Sequence, residues 1–337
     1  MTTTTAVVRE SNIEGFTLIR RGKVRDVWSS NDRSQAVAVT TDRISVFDRV
    51  LPTPIPGKGV ILNQMSHFFF DLIERELGIS NHISTEWKAG TTVSSIESGY
   101  PELAGRVSVW RQVNPVLIEF IVRANITGSY WEAYAVGERL IHGHEFPEDL
   151  SNGDDLPGII FTPSTKEDVG HDQNIDLVEY RRLVRKQFAL TEDWLTPELE
   201  ALTLKIGRFI YDYCRVRGII FLDSKFEWGV LGQKNGQFDT PLIDTRRLKR
   251  PFVPLLIDEV VTPDSSRFVK VEDKEAGRLD PYDKQLVRNF VLEEAKKAGH
   301  PKGSPGFESF VSQLVPPNEI IEETARRYQE IFERLCS

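Results

Sequence analysis

The sequence predicts an α+β fold in which two lobes enclose one cleft, and three observations support it. Apolar runs of strand length recur between Gly- and Pro-rich breaks, one long stripe of helical spacing follows Thr196, and the C-terminal third ends in helical segments. Mixed and antiparallel sheets with helices packed around them satisfy that pattern. No internal repeat is visible, and 337 residues, 40% of them hydrophobic, suffice for a sizeable core.

In chain order, Arg20-Arg21-Gly22-Lys23-Val24-Arg25-Asp26 reads as the basic tip of a hairpin, and Ala36-Val37-Ala38-Val39 as a buried strand. Pro52, Pro54, Pro56, Gly57 and Gly59 break the chain, after which Leu62, Met65, Phe69 and Ile73 have helical spacing over 60–77. Strands are expected at 107–110 and 116–122, with Pro115 between them. The crossing between lobes is placed there, dividing the chain into 1–112 and 113–337. The stretch 137–170, rich in Gly, Pro, Asp and Ser, reads as an extended loop across the cleft. Thr196 and Pro197 suit the N-cap and first turn of a helix striped by Leu199, Leu202, Ile206, Phe209, Ile210 and Tyr213 and ended by Gly218. A short strand at 219–222 and helices near 280–298 and 318–335 complete the reading.

Bulk properties exclude several classes. No apolar run approaches the roughly 18 to 20 residues that cross a bilayer. Residues 1–8 lack the basic start and apolar centre of a secretory signal, and Cys214 and Cys336 are too few for a disulfide framework. A cytoplasmic protein is expected. A formal charge of -8 argues against non-specific nucleic-acid binding and leaves small anionic ligands open.

The chemistry concentrates where alternation continues out of a buried strand, in Asp223-Ser224-Lys225-Phe226-Glu227-Trp228-Gly229. Asp223, Lys225 and Glu227 share a face at intervals of about 6.6 Å, with Phe226 and Trp228 turned into a core. Carboxylates flanking an ammonium can hold Mg2+ and phosphate, or form an ordinary ion pair on a solvated face. Asp258 can share a metal with Glu227 if their strands pair, and Arg267, in a polar turn, is suited to grip a phosphate or carboxylate. The plainer alternative is that Asp264 and Ser265 cap that turn. The tip Gly22, Lys23, Val24, Arg25 offers amides and cations to a polyphosphate without matching a Walker A loop, and 41–48 packs Asp42, Arg43, Ser45 and Asp48 into one turn. Arg123 follows another strand, with Thr127, Gly128 and Ser129 placed for an N-cap or an anion site. His142 and His144 have no cysteine at ligand spacing.

In this order the segments resemble the phosphoribosylaminoimidazole-succinocarboxamide synthases, the SAICAR synthetases. The resemblance runs from Arg21-Gly22-Lys23-Val24-Arg25-Asp26 through Thr41-Asp42-Arg43-Ile44-Ser45, Ile55-Pro56-Gly57-Lys58-Gly59, Thr127-Gly128-Ser129, Thr162-Pro163-Ser164-Thr165-Lys166 and 223–229 to Thr262-Pro263-Asp264-Ser265-Ser266-Arg267. It implies an ATP-grasp-like fold with a central nucleotide cleft, and ligation of a carboxylated aminoimidazole ribonucleotide to L-aspartate with ATP and Mg2+. It further implies that Gly22, Lys23, Val24 and Arg25 cover phosphate, Trp110 and Gln112 face adenine, and Glu227 and Asp258 hold metal. Lys225, Asp223 and Arg267 would be catalytic, and Asp42, Arg43, Ser45, Asp48, Arg123, Ser129 and Arg267 would bind substrate. This chain departs from the family pattern at Ala124-Asn125, at Trp228, and in a long connection carrying the basic segment 245–250. A small-molecule kinase of related architecture or a non-catalytic nucleotide-binding module are the competing readings, and oligomeric state stays open.

Overall fold

Alternation and turn chemistry build the first sheet. Val37 and Val39 join Trp28, Val107 and Val109 in one small core, and the intervening Ala38 lets the helix Lys58–Leu77 lie close to that strand. Strands Thr17–Arg21, Arg25–Ser29, Gln35–Thr40 and Val107–Arg111 pair antiparallel in that order. The computed structural model describes residues 6–29, 35–84, 92–166, 172–188, 193–234, 237–238 and 252–337. The basic segment 245–250 and His171 lie outside them.

Behind this sheet, Arg106 and Asp42 form a fully buried ion pair, with Arg106 Nη1 to Asp42 Oδ1 at 2.8 Å and Nη2 to Oδ2 at 2.9 Å. Asp42 also accepts the amides of Val8 and Gly59. Gly59 is required by space: a Cβ there would sit 2.4 Å from the Thr40 carbonyl oxygen and 2.3 Å from Arg106 Nη1. Gly59→Ala is therefore expected to destabilise the protein by about 1–3 kcal/mol through overpacking, read as a lower urea midpoint at unchanged m.

The second sheet is organised by one sixteen-residue strand, Ile219–Lys234. It pairs antiparallel with Ile118–Asn125, Phe252–Ile257 and Ser266–Lys270. Phe221, Phe226, Trp228 and Val230 enter the main core with Phe120, Val122 and the Ile206 and Ile210 stripe of helix Leu195–Arg215. Trp228 Nε1 finds Thr203 Oγ1 at 2.9 Å, so its polar edge is satisfied inside that core. Met65, Phe69 and Ile73 of helix Lys58–Leu77 enter the same core, which places this helix between the two sheets. The segment 80–84 bridges them too. His82 N–H donates to Leu256 C=O on one side at 3.1 Å, and Arg111 N–H donates to His82 C=O on the other at 2.8 Å.

The structure differs from the sequence reading at several places, among them the unexpected helix Val93–Gly99. Residues 137–170 contain the strand Asp155–Phe161, which joins the large sheet against Ile118–Asn125. The helix expected to be capped by Thr196 begins at Leu195 after Trp194, and Thr196 Oγ1 donates back to Asp193. Arg267 lies in the strand Ser266–Lys270 rather than in a turn. The helix Leu177–Gln187 was not anticipated, although Asp176 accepts the Glu179 amide at 2.8 Å, a capping arrangement visible in sequence. Helices Gln285–Lys297, Phe307–Gln313 and Asn318–Cys336 close the chain. Among the described residues no helix is long and apolar enough to cross a membrane.

Candidate active site

Three adjacent strands set Arg123, Asp223 and Arg267 side by side, because Asp223 is the cross-strand partner of both arginines. A register shift between Phe221 and Asp223 brings Arg267 into that row. Arg267 grips Asp223 with Nε at 2.9 Å and with Nη2, Arg123 Nη1 reaches the same carboxylate at 3.2 Å, and Thr127 Oγ1 donates to it at 3.1 Å. Thr127 occupies the N-cap position of helix Gly128–Ala135 yet makes no side-chain cap, its hydroxyl being committed to Asp223. Gly128, at φ +57°, leaves room for the Arg267 guanidinium, which a Cβ would approach to 2.9 Å. Burial disfavours the charged carboxylate, but Arg267 and Arg123 outweigh it and hold Asp223 below its ordinary pKa.

Arg123, Asp223 and Arg267 line a cavity of about 360 Å³ together with Lys225, Phe47, Glu132 and Arg288. Two residues further along the strand, Lys225 Nζ pairs with Glu119. Burial pushes the Glu119 carboxyl up even against that lysine. Glu227 follows, bound by Lys166, and lies opposite Ile257, so the strands pair and Asp258 comes next to it. Burial and the neighbouring Asp258 push the Glu227 carboxyl up against the pull of Lys166 and Lys225. On Asp258 burial acts in the same sense, but Arg25, Lys166 and Lys225 overcome it and its pKa falls.

The turn Gly22 to Arg25 approaches from the first sheet. Gly22 N–H closes the turn on Arg25 C=O at 2.7 Å, so that amide is spent within the turn. Arg25 crosses to Asp258 at 3.3 Å and Glu259 at 2.9 Å, whereas Lys23 pairs with Asp48. Val24 offers its carbonyl to the Thr41 amide and hydroxyl. Trp110 lies beneath Arg25, 6.0 Å from the ring centroid, and Gln112 is exposed beyond the strand end.

Not every expected substrate residue faces this space. Asp42 is fully buried against Arg106, and its carboxylate is spent there, which corrects the expectation that it contacts substrate. Arg43 likewise turns inward: its guanidinium donates to the Gly22 carbonyl and to Asp26 at 2.8 Å each, bracing the turn from behind. Ser45 is buried in the short strand Ser45–Val46, Asp48 sits at the exposed hairpin tip, and Ser129 is exposed with Asn174 Nδ2 at 3.2 Å. Asn125 points away from the row, donating to Gly153 C=O at 2.9 Å and Asp155 Oδ1 at 2.8 Å.

Lys166, Glu119 and Glu259 pair with the expected site residues Glu227, Lys225 and Arg25; the sequence reading carried them only within motifs and gave them no role of their own. Lys166 had a signal, as the end of a hydroxyl-rich run directly after a strand. Among the described residues no three or more His, Cys, Asp or Glu side chains cluster as a metal cage, and Glu227 with Asp258 supplies two carboxylates.

The family model for SAICAR synthetase matches residues 18–302. A phosphoribosylaminoimidazole-succinocarboxamide synthase from Maridesulfovibrio salexigens is 36% identical, over 96% of this chain and 95% of its own length. One from Polaromonas naphthalenivorans is 36% identical over the whole of both chains. Among solved structures, a SAICAR synthase superimposes with a TM-score of 0.74 at 30% identity, covering 98% of each chain. The Saccharomyces cerevisiae SAICAR synthase complexed with SAICAR gives 0.73 at 29%, covering 97% of each.

Proposed function

The chain belongs to the SAICAR synthetase family, and from that premise we propose how its residues divide the family's reaction. It is an ATP-dependent ligase that joins 5-amino-1-(5-phosphoribosyl)imidazole-4-carboxylate to L-aspartate, giving the succinocarboxamide, ADP and phosphate in de novo purine (IMP) biosynthesis. The assignment of roles rests on one observation: the Arg123, Asp223, Arg267 row shares a strand face and a cavity with Lys225, and the Glu227–Asp258 pair follows along the same strands.

Arg123 and Arg267, with Ser129, take the anionic groups of the imidazole nucleotide, for which bidentate guanidinium contacts are suited. Asp223 keeps both arginines aimed in the meantime. Lys225 contacts the transferring phosphoryl group, and Gly22, Lys23, Val24 and Arg25 cover the ATP phosphates, with Trp110 and Gln112 toward adenine. Arg43 serves from behind by holding that turn and Asp42 by fixing Arg106 behind the sheet, while Ser45 and Asp48 lie toward the substrate end.

Glu227 and Asp258 suit Mg2+: both are oxygen donors brought together by paired strands, and burial, with the Asp258 charge beside it, pushes the Glu227 carboxyl up, a cost that a divalent cation would relieve. When bound, Mg2+ supplies neutralisation of charge on the phosphates during transfer. The nucleotide's carboxylate oxygen takes the γ-phosphoryl group as ADP leaves, and the aspartate nitrogen then displaces phosphate at that carbon. Such chemistry needs cations and positioning more than an activated side-chain nucleophile. A division near residue 112 and a cytoplasmic setting complete the proposal.

The test is ADP release from Mg-ATP and the carboxylated ribonucleotide, with and without L-aspartate. Release that depends on aspartate and yields the succinocarboxamide is the expected result. A stable phosphorylated product formed without aspartate would establish a kinase instead.

A further inference from the structure

His82 lies in the segment 80–84 that joins the two sheets and is only 3% exposed. Its Nε2 accepts the backbone N–H of Asp258 at 3.2 Å. Asp258 stands at φ +63°, a left-handed conformation uncommon outside glycine but among those that Asp tolerates, so a partner on its backbone N–H can select it. The same imidazole packs on Trp110 with centroids 4.8 Å apart and on Phe70 at 5.3 Å. Arg25, over the Trp110 ring, returns to the Asp258 carboxylate. His82, Trp110, Arg25 and Asp258 thus form a closed circuit connecting the strand Val107–Arg111, the turn Gly22 to Arg25 and one carboxylate of the acidic pair.

We propose that His82 is a positioning residue: its Nε2 holds Asp258 in the left-handed conformation that directs the carboxylate toward Glu227, and its ring transmits the placement of Trp110 to that carboxylate. The inference rests on the reading of Asp258 as a metal-binding group. An acceptor at the Nε2 position is the essential element, since it engages the backbone of the residue whose side chain must be aimed. Partners that orient metal-binding groups in this way change metal affinity by about 10–100-fold when removed.

The experiment compares His82→Gln, whose amide oxygen can reach the Nε2 position, with His82→Asn, whose amide oxygen falls short of it. Both bury an amide, so a general loss of packing affects both variants. Mn2+ binding is followed by electron paramagnetic resonance on the full chain loaded with a non-hydrolysable ATP analogue, and analogue binding without metal by calorimetry. His82→Asn is expected to weaken Mn2+ binding about tenfold or more and His82→Gln by about threefold or less, with analogue affinity little changed in either. Equal Mn2+ affinity in His82→Asn and the unaltered protein overturns the inference, as does equal weakening in the two variants. Asp258→Asn separates the two levels of argument. If it leaves Mn2+ binding unchanged, the metal reading itself fails; if it weakens binding while His82→Asn does not, only the role of His82 fails.

Discussion

Glu227→Gln is expected to lower Mg2+-dependent turnover by about 10³-fold or more while leaving the fold intact. The substitution keeps the side chain's size and one oxygen acceptor, removes the charge and turns the other oxygen into an NH2 donor, so its effect separates polar interactions from packing. Glu227 is held between Lys166 and Asp258 on a strand whose opposite face, Phe226 and Trp228, is locked in the core. The strand therefore stays in place when the carboxylate is lost. What disappears is one of two anionic oxygen groups available to a divalent ion, and with it charge stabilisation that is worth several kcal/mol in phosphoryl transfer. Two readings separate the cause: near-UV circular dichroism for the fold, and Mg2+ titration of initial rates for the site. Wild-type rates in the variant would remove Glu227 from metal binding. A collapsed dichroism spectrum would show instead that the Lys166 pair is structural.

How far such an argument could be made from sequence depends on the range of the interaction. The face shared by Asp223, Lys225 and Glu227 was legible because strand alternation is local, and Phe226 and Trp228 showed which side was core. Pairing of this strand with Phe252–Ile257 could be posed as a condition, and the structure meets it. The inward roles of Asp42 and Arg43 were not legible, since a polar-dense turn looks alike whether its charges face a ligand or Arg106 and Asp26. The strand Asp155–Phe161 was hidden for another reason. It carries Pro157 and Gly158 and sits at the edge of its sheet, where loop-like composition is tolerated. Long-range ion pairs were hidden most completely, because nothing in local composition marks which lysine meets which aspartate.

Asp264 is the clearest such case, and Asp264→Asn is expected to cost about 3–5 kcal/mol of stability. From sequence this residue reads as part of a capped turn; its carboxylate in fact meets Lys58 at 2.9 Å, Lys284 at 3.0 Å and the Tyr328 hydroxyl at 2.6 Å. Lys58 is fully buried, and burial lowers its pKa despite Asp264. Without the carboxylate, two buried ammonium groups face each other uncompensated. The double variant Lys58→Met with Asp264→Asn removes one of them and is expected to lose less than the sum of the single changes, a coupling that urea melts measure directly. The pH dependence carries an independent sign. Although burial disfavours its charged form, Lys284 and Lys58 hold the Asp264 carboxyl below its ordinary range, so the unfolded chain binds that proton first as pH falls. Its contribution is complete above the pKa of an unfolded aspartate, about 3.9, and drains away below it. Asp264→Asn should therefore be less stable than the unaltered protein at pH 7, with the gap narrowing as the pH is lowered through 4 toward 2. A gap that stays constant over that interval would mean the loss comes from packing, and that the ion cluster joining Lys58 to the C-terminal helix contributes no charge-dependent stability.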